Sequence, residues 1–133
     1  MSVGIDILDT DHKIIVQYMN KFIDAVDREE STFHIDSIYQ QLLSYTIYHF
    51  EREERILEVC NYDNLPAHHE THEILKKELN SLRNRYMQTS EKIIDTDIRD
   101  LLNKWLFEHI LEDDHAYRTT IENNADLIRN ADI

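Results

Sequence analysis

The sequence predicts an all-α protein, an up-down-up-down four-helix bundle with a short C-terminal helix or tail. Its 133 residues include only one glycine and one proline, which leaves too few turn-forming residues for an all-β or α/β fold. Apolar residues recur at spacings of three and four in four successive segments, as expected of helices that each bury one face. A chain of this length has room for one core, so we expect a single domain over residues 1–133.

The first two predicted helices have recognisable starts. The first spans about residues 10 to 28, with Asp9 or Thr10 as its candidate N-cap. The second carries the apolar positions from 38 to 60, and Asp36 is its candidate N-cap. Both segments therefore satisfy the capping and periodicity that an amphipathic helix requires.

The second half of the chain predicts two more helices and a tail. Residues 61–64 are a polar break, after which Pro66 suits the first turn of a helix that carries positions 68 to 86. Residues 88–97 are polar and poorly periodic, so we expect a connection there, followed by a fourth stripe from 98 to 109. The stretch from Thr119 onward has few apolar residues and predicts a short helix or a frayed tail.

Each of the four stripes contains at least one histidine, and one stripe also contains a glutamate. These inward residues are His12, His49, Glu53, His68, His72 and His109. A single buried histidine is usually a hydrogen-bonded core residue. Five of them beside a carboxylate leave many polar groups that need partners, and a metal ion is the simplest common partner.

The spacing of these residues favours a dinuclear centre. His68 and His72 are four residues apart, so both imidazoles project from one helix face toward one ion, and His49 with Glu53 repeats this arrangement. Neutral imidazole suits iron, zinc and copper, whereas a carboxylate can bridge two cations. Iron is the leading candidate.

The same residues resemble the signature of the hemerythrin family, in its bacterial branch. The matching segments, in the family's order, are Thr10-Asp11-His12-Lys13, His49-Phe50-x-x-Glu53-Glu54, His68-x-x-x-His72 and Trp105-Leu106-x-x-His109-Ile110-x-x-x-Asp114. The resemblance implies a hemerythrin-like bundle with two irons and an oxo or hydroxo bridge. It assigns His68, His72 and His109 to one iron, His12 and His49 to the other, and Glu53 and Asp114 as bridges. The second iron then keeps one open position.

The bridging aspartate has an alternative. Asp114 lies five residues after His109, and five helical steps rotate it by about 140° from the starting face, so Asp113 is better placed in an ideal helix. The family pattern selects Asp114, and a local π-turn would reconcile the two. The resemblance also implies a tyrosine near this aspartate, Tyr117, that orients a metal ligand without binding metal itself. It further implies an apolar dioxygen pocket lined by Ile15, Phe50, Trp105, Leu106 and Ile110.

The function that the resemblance implies is reversible dioxygen binding, for oxygen transport, storage or sensing, with nitric oxide or small anions as other ligands of the open iron. We do not expect an enzyme. The alternatives are a di-iron redox enzyme (a peroxidase, nitric-oxide reductase or ferroxidase) and a structural zinc or mixed-metal site. The other histidines are expected not to bind iron: His34 in the loop before the second helix, His69 on another face, and His115 after the bridge.

Composition excludes two classes of partner. Acidic residues outnumber basic ones 27 to 14, and the net charge of −13 opposes binding to nucleic acid or to an anionic membrane surface. No window approaches the roughly 18 consecutive apolar residues of a membrane-spanning helix. Cys60 is the only cysteine, so nothing indicates an oxidising compartment. We therefore expect a cytoplasmic protein.

Overall fold

A computed structural model describes the backbone of residues 3–88, 100, 104 and 109–131, and the side chains of residues 6–85, 100, 104 and 116–131. Within these ranges there are five helices and no strands: α1 (Val3–Asp27), α2 (Thr32–Val59), α3 (Leu65–Gln88), α4 (His109–Asn123) and α5 (Ala125–Asn130). The prediction of an all-α bundle is confirmed. Residues 89–97 of the predicted connection, and Ile98, Leu102 and Trp105 of the fourth stripe, lie outside the described residues.

The first helix begins earlier than its sequence predicts. It starts at Val3 instead of near residue 10, so Asp9 and Thr10 do not cap it, and the Thr10 hydroxyl donates to the Asp6 carbonyl one turn back. The reason is tertiary packing: Leu8 is buried against residues of α2, α4 and α5. That burial stabilises a turn for which the local sequence gives no start signal.

The second helix also has a different cap. Its N-cap is Ser31, whose side-chain oxygen accepts from the His34 backbone N–H at 3.2 Å, so Asp36 is not the cap. Asp36 lies inside the helix and instead pairs with Arg83 of α3, at 2.8 Å from the guanidinium Nε. His34 is therefore in the first turn of α2 and not in a preceding loop. Pro66 lies in the first turn of α3, as predicted.

The turns after α1 and α2 use left-handed residues other than glycine. Glu29 has φ 53° and Asn61 has φ 55°. After α1, the Glu30 N–H donates to the Ala25 carbonyl at 3.1 Å, the closing bond of a Schellman motif. These turns fold the chain back on itself: Phe22 and Tyr39 are in ring contact at the ends of α1 and α2 that the first turn joins.

Contacts along the helices show that α2 runs antiparallel to α1 and that α3 runs antiparallel to α2. Near the start of α2, the Tyr39 hydroxyl donates to the Leu79 carbonyl, which lies toward the end of α3, at 2.6 Å. Near the end of α2, Glu53 meets His68 at the start of α3. The buried face of α2 begins at Ile35 and Tyr39, whereas the predicted stripe begins at Ile38, which is only partly buried.

Among the residues whose side chains are described, the core consists of two apolar clusters. The large cluster lies among α1, α2 and α3: Ile15, Met19, Phe22, Ala25, Ile35, Tyr39, Leu42, Leu43, Phe50, Leu75, Leu79 and Leu82. The small cluster joins α1 and α2 to α4 and α5: Leu8, Ile56, Leu57, Cys60, Tyr117, Ile121 and Ile128. Because Ile128 is buried, the segment after Thr119 ends in a packed helix, and the frayed-tail alternative is wrong.

Candidate metal centre

A layer of buried polar side chains separates the two apolar clusters. On each of α1, α2 and α3, the residues of this layer lie between those that pack in the small cluster and those that pack in the large one, or directly beside them. The layer consists of Asp11, His49, Glu53, His68 and His72. Each is at most 8% exposed. Buried groups of this kind are found where they pair with one another or hold an ion.

Glu53 lies at the centre of this layer, and its two carboxylate oxygens face different partners. Oε2 lies 3.0 Å from Nε2 of His49 and accepts a hydrogen bond of 3.2 Å from the Tyr117 hydroxyl. Oε1 contacts Nε2 of His68 and lies 3.1 Å from Nε2 of His72. One carboxylate therefore joins imidazoles from α2 and α3.

Two sets of ligand atoms meet at this carboxylate. His12, His49 and Glu53 form one set, and Glu53, His68 and His72 form the other; within each set the ligand atoms all lie within 4.8 Å of one another. His12 is half-buried, and its ring centroid is 4.7 Å from that of His49. Imidazole nitrogens on both sides of a shared carboxylate suit borderline metals such as iron, so the residues present fit a pair of cations.

Two of these imidazoles have a carboxylate behind them. The Nδ1 of His49 lies 3.0 Å from Asp11 Oδ2, and the Nδ1 of His72 lies 3.4 Å from Glu54 Oε2. In both rings the opposite nitrogen, Nε2, faces Glu53. Asp11 is 1% exposed, and the sequence reasoning missed it as a site residue. A signal was available, because positions 8, 11 and 15 fit the helical period as well as positions 8, 12 and 15 do.

The electrostatics of the layer follow from these pairings. Burial alone would lower the pKa of His49, but hydrogen bonds with Asp11 and Glu53 outweigh it and raise the pKa to about 9. Burial would raise the pKa of Glu53, but contacts with His49, His68 and His72 hold it well below its usual range. Without a metal ion, Asp11 and Glu53 thus hold an extra proton on His49, and a bound cation would replace that proton.

Apolar groups adjoin this layer on the side of the large cluster. Phe50 is buried, and its ring stacks on that of His72 with centroids 3.9 Å apart and planes 10° apart. Ile15 is buried in the same cluster. Trp105 and Leu106, also predicted for a dioxygen pocket, lie outside the described residues, as does the side chain of Ile110.

The remaining predicted ligands come from α4. His109 and Asp114 both lie in that helix, but their side chains, like those of Asp113 and His115, are outside the described part of the chain. The choice between Asp113 and Asp114 therefore stays a prediction. Tyr117 was expected near Asp114, and its hydroxyl donates to Glu53.

Two histidines that were expected not to bind metal belong to neither ligand set. The His69 side chain is 56% exposed and contacts Glu54. The His34 side chain is 57% exposed and pairs with Glu30 at 3.0 Å. Neither belongs to the clusters that could hold an ion among the residues whose side chains are described.

A helical bundle with imidazoles and carboxylates gathered between two apolar clusters defines a class of proteins that hold cations inside the bundle. Comparison with known families agrees: the hemerythrin HHE cation binding domain matches residues 3–121. The chain belongs to the hemerythrin family.

Individual relatives support this membership. The chain is 32% identical over 130 residues to a bacteriohemerythrin of Pseudomonas aeruginosa (strain LESB58), covering 97% of this chain and 83% of the relative. It is 30% identical over 122 residues to the bacteriohemerythrin of Stenotrophomonas maltophilia, covering 92% and 78%. It is 27% identical over 121 residues to that of Clostridium acetobutylicum, covering 86% and 92%. No solved structure matches the chain.

The helices were also compared with the requirements of a membrane span. None of those in the described residues is long and apolar enough to cross a bilayer.

Proposed function

We propose that this chain holds two iron ions in the polar layer and binds dioxygen reversibly at one of them. His12 and His49 would be the histidine ligands of one iron, and His68, His72 and His109 those of the other. Glu53 and Asp114 would bridge the two ions together with a solvent-derived oxo or hydroxo group. The observation that carries the proposal is the division of the Glu53 carboxylate, whose two oxygens each face a different group of imidazoles.

The uneven number of histidine ligands indicates which of the two irons would bind dioxygen. With three histidines on one side and two on the other, the side of His12 and His49 would keep an open coordination position, as a ligand-binding metal site requires. When bound there, the iron pair would supply that position and the electrons that dioxygen binding needs. No external reductant enters this scheme, which distinguishes a carrier from a redox enzyme.

The protein's own residues would supply orientation and shielding. Tyr117 donates to the Glu53 oxygen on the His49 side and so limits the rotation of the carboxylate. Phe50 lies flat against His72 and, with Ile15, presents apolar surface near the layer. Such surface excludes water from the site, which favours slow loss of the bound ligand.

The relatives support the same function. The matching family is described as a cation binding domain, and the relatives are named bacteriohemerythrins. Oxygen transport, storage and sensing all use the same binding step, so the proposal concerns that step.

The test is an optical titration of the reduced, iron-loaded protein with dioxygen, combined with iron analysis. We expect two irons per chain and a visible band that appears with dioxygen and disappears when it is removed. The control variant His34→Ala should give the same iron content and the same reversible band as the parent, because His34 is exposed in the first turn of α2, well before His49. One iron per chain would contradict the dinuclear centre. A band that does not reverse, with steady consumption of an added reductant, would favour the di-iron enzyme.

A further inference from the structure

Asp11 is a buried carboxylate that belongs to neither ligand set, and it makes three polar contacts with α2. Its Oδ2 lies 3.0 Å from Nδ1 of His49 and 3.5 Å from Nε of Arg52. Its Oδ1 accepts a hydrogen bond of 2.7 Å from the Tyr45 hydroxyl. Because each oxygen has its own partner, the carboxylate cannot rotate without breaking at least one contact.

These contacts determine which ring nitrogen of His49 carries the proton and which one is available to a metal ion. A neutral imidazole carries one N–H and one lone pair, and the partner of one nitrogen decides which nitrogen holds the proton. A carboxylate only accepts, so Asp11 keeps the proton of His49 on Nδ1. Once a cation replaces the second proton, the lone pair is on Nε2, which lies 3.0 Å from Glu53 and faces the ligand set.

We propose that Asp11, anchored by Tyr45, is the positioning residue that holds His49 in its Nε2-ligating form and thereby sets the affinity of one ion only. That ion is the one at His12, His49 and Glu53, so the inference rests on the proposed two-metal centre. The three side chains that Asp11 contacts all lie on α2, on the His49 side of the layer. On the other side, the carboxylate behind His72 is Glu54.

Asp11 would also influence the oxygen-binding step. In the proposed function, the ion at His12 and His49 is the one with the open position. A carboxylate behind a metal-bound imidazole makes that imidazole a stronger ligand and fixes its ring direction. Asp11 would therefore act through His49 on the iron that meets dioxygen, without touching the metal itself.

The first test measures Fe²⁺ affinity without oxygen, by competition with a chelator, in Asp11→Ala and Asp11→Asn. In Asp11→Ala we expect one of the two binding steps to weaken by about 10- to 100-fold and the other to change little. Asp11→Asn should fall between this variant and the parent, because an amide oxygen still accepts from Nδ1–H. Asp24→Ala, which removes an exposed acid from the same helix, should match the parent.

A second measurement separates positioning from folding. In the Zn²⁺-loaded parent, the Nδ1–H proton of His49 should give an NMR signal protected from exchange with water, and Asp11→Ala should lose that protection. Tyr45→Phe keeps Asp11 but removes its anchor, so it should weaken the same binding step to a smaller degree. This second variant tests the proposal if Asp11→Ala folds poorly.

The outcomes distinguish the two proposals. Two ions in the parent with equal weakening of both steps in Asp11→Ala and Asp11→Asn would make Asp11 merely structural and overturn this inference. Unchanged affinities with an unchanged Nδ1–H signal would do the same, while the proposed centre would stand. Fewer than two ions in the parent would refute the centre and the role of Asp11 with it.

Discussion

Replacing Glu53 with glutamine tests the bridging position most directly, because it changes one oxygen to an NH₂ group and keeps the shape of the side chain. Glu53 is 1% exposed and meets imidazoles of His49, His68 and His72. A glutamine offers one acceptor oxygen, and its NH₂ group cannot act as a ligand. At most one side of the layer can then keep its oxygen donor.

Two magnitudes follow for Glu53→Gln. In the metal-free protein, exchanging a charged acceptor for a neutral one costs roughly 1 kcal/mol per hydrogen bond, so three imidazole contacts give a loss of roughly 3 kcal/mol in the free energy of unfolding. In the iron-loaded protein, loss of a direct ligand should weaken binding by more than the ~100-fold upper value for outer partners. We expect no more than one iron per chain.

The assay combines urea unfolding of the metal-free protein at pH 7 with iron analysis after anaerobic loading. Glu51→Gln is the matched control, because Glu51 is exposed on the same helix and carries the same charge. Two irons per chain in Glu53→Gln, with parent-like stability, would refute the bridging role of Glu53.

Two further substitutions test the remaining parts of the site. His72→Ala should lose at least one iron, whereas His69→Ala should keep both because His69 is exposed outside the ligand sets; equal loss in both would contradict the ligand assignment. Phe50→Leu removes the ring stacked on His72, so it should cost about 1 kcal/mol of stability and shorten the lifetime of the oxygenated visible band at unchanged iron content. An unchanged lifetime would exclude Phe50 from the pocket.

The helical period was sufficient to predict the part of the site that lies within single helices. His49 with Glu53, and His68 with His72, are each four residues apart, so helix geometry alone places each pair on one face. The structure brings both pairs together because α2 and α3 pack antiparallel. Predicting that the two pairs lie close together also required the bundle topology, and the short polar break after α2 indicated that α3 packs antiparallel to it.

Periodicity can place a side chain on the inward face of a helix, but it cannot identify the partner that the side chain meets on another helix. Asp11 and His12 fit the stripe of α1 equally well, and only the neighbouring helix shows that Asp11 pairs with Tyr45 and His49. The predicted N-cap of α2 was wrong for the same reason. Asp36 is a good N-cap by residue type, but it lies inside the helix, where it pairs with Arg83 of α3. In both cases a partner far along the chain decides the role of an aspartate.

The Tyr39 hydroxyl offers a test of the fold that does not involve the metal centre. Tyr39 lies in the large cluster, ten residues before His49, or about 15 Å along the helix axis. Its hydroxyl donates to the Leu79 carbonyl inside α3. Burial raises the pKa of Tyr39 above its ordinary value of about 10, and nearby Arg83 opposes part of that increase.

Tyr39→Phe should therefore have a stability effect that depends on pH. At pH 7 it should cost about 1 kcal/mol through the lost hydrogen bond. A raised pKa in the folded state means that its stabilisation is complete below the unfolded pKa and is lost above it, by about 1 kcal/mol between pH 10 and 11. The parent should lose this amount and the variant should not, so their stabilities in urea should converge near pH 11. A difference that stays constant from pH 7 to 11 would show that Tyr39 titrates alike in the folded and unfolded chains, contrary to its burial.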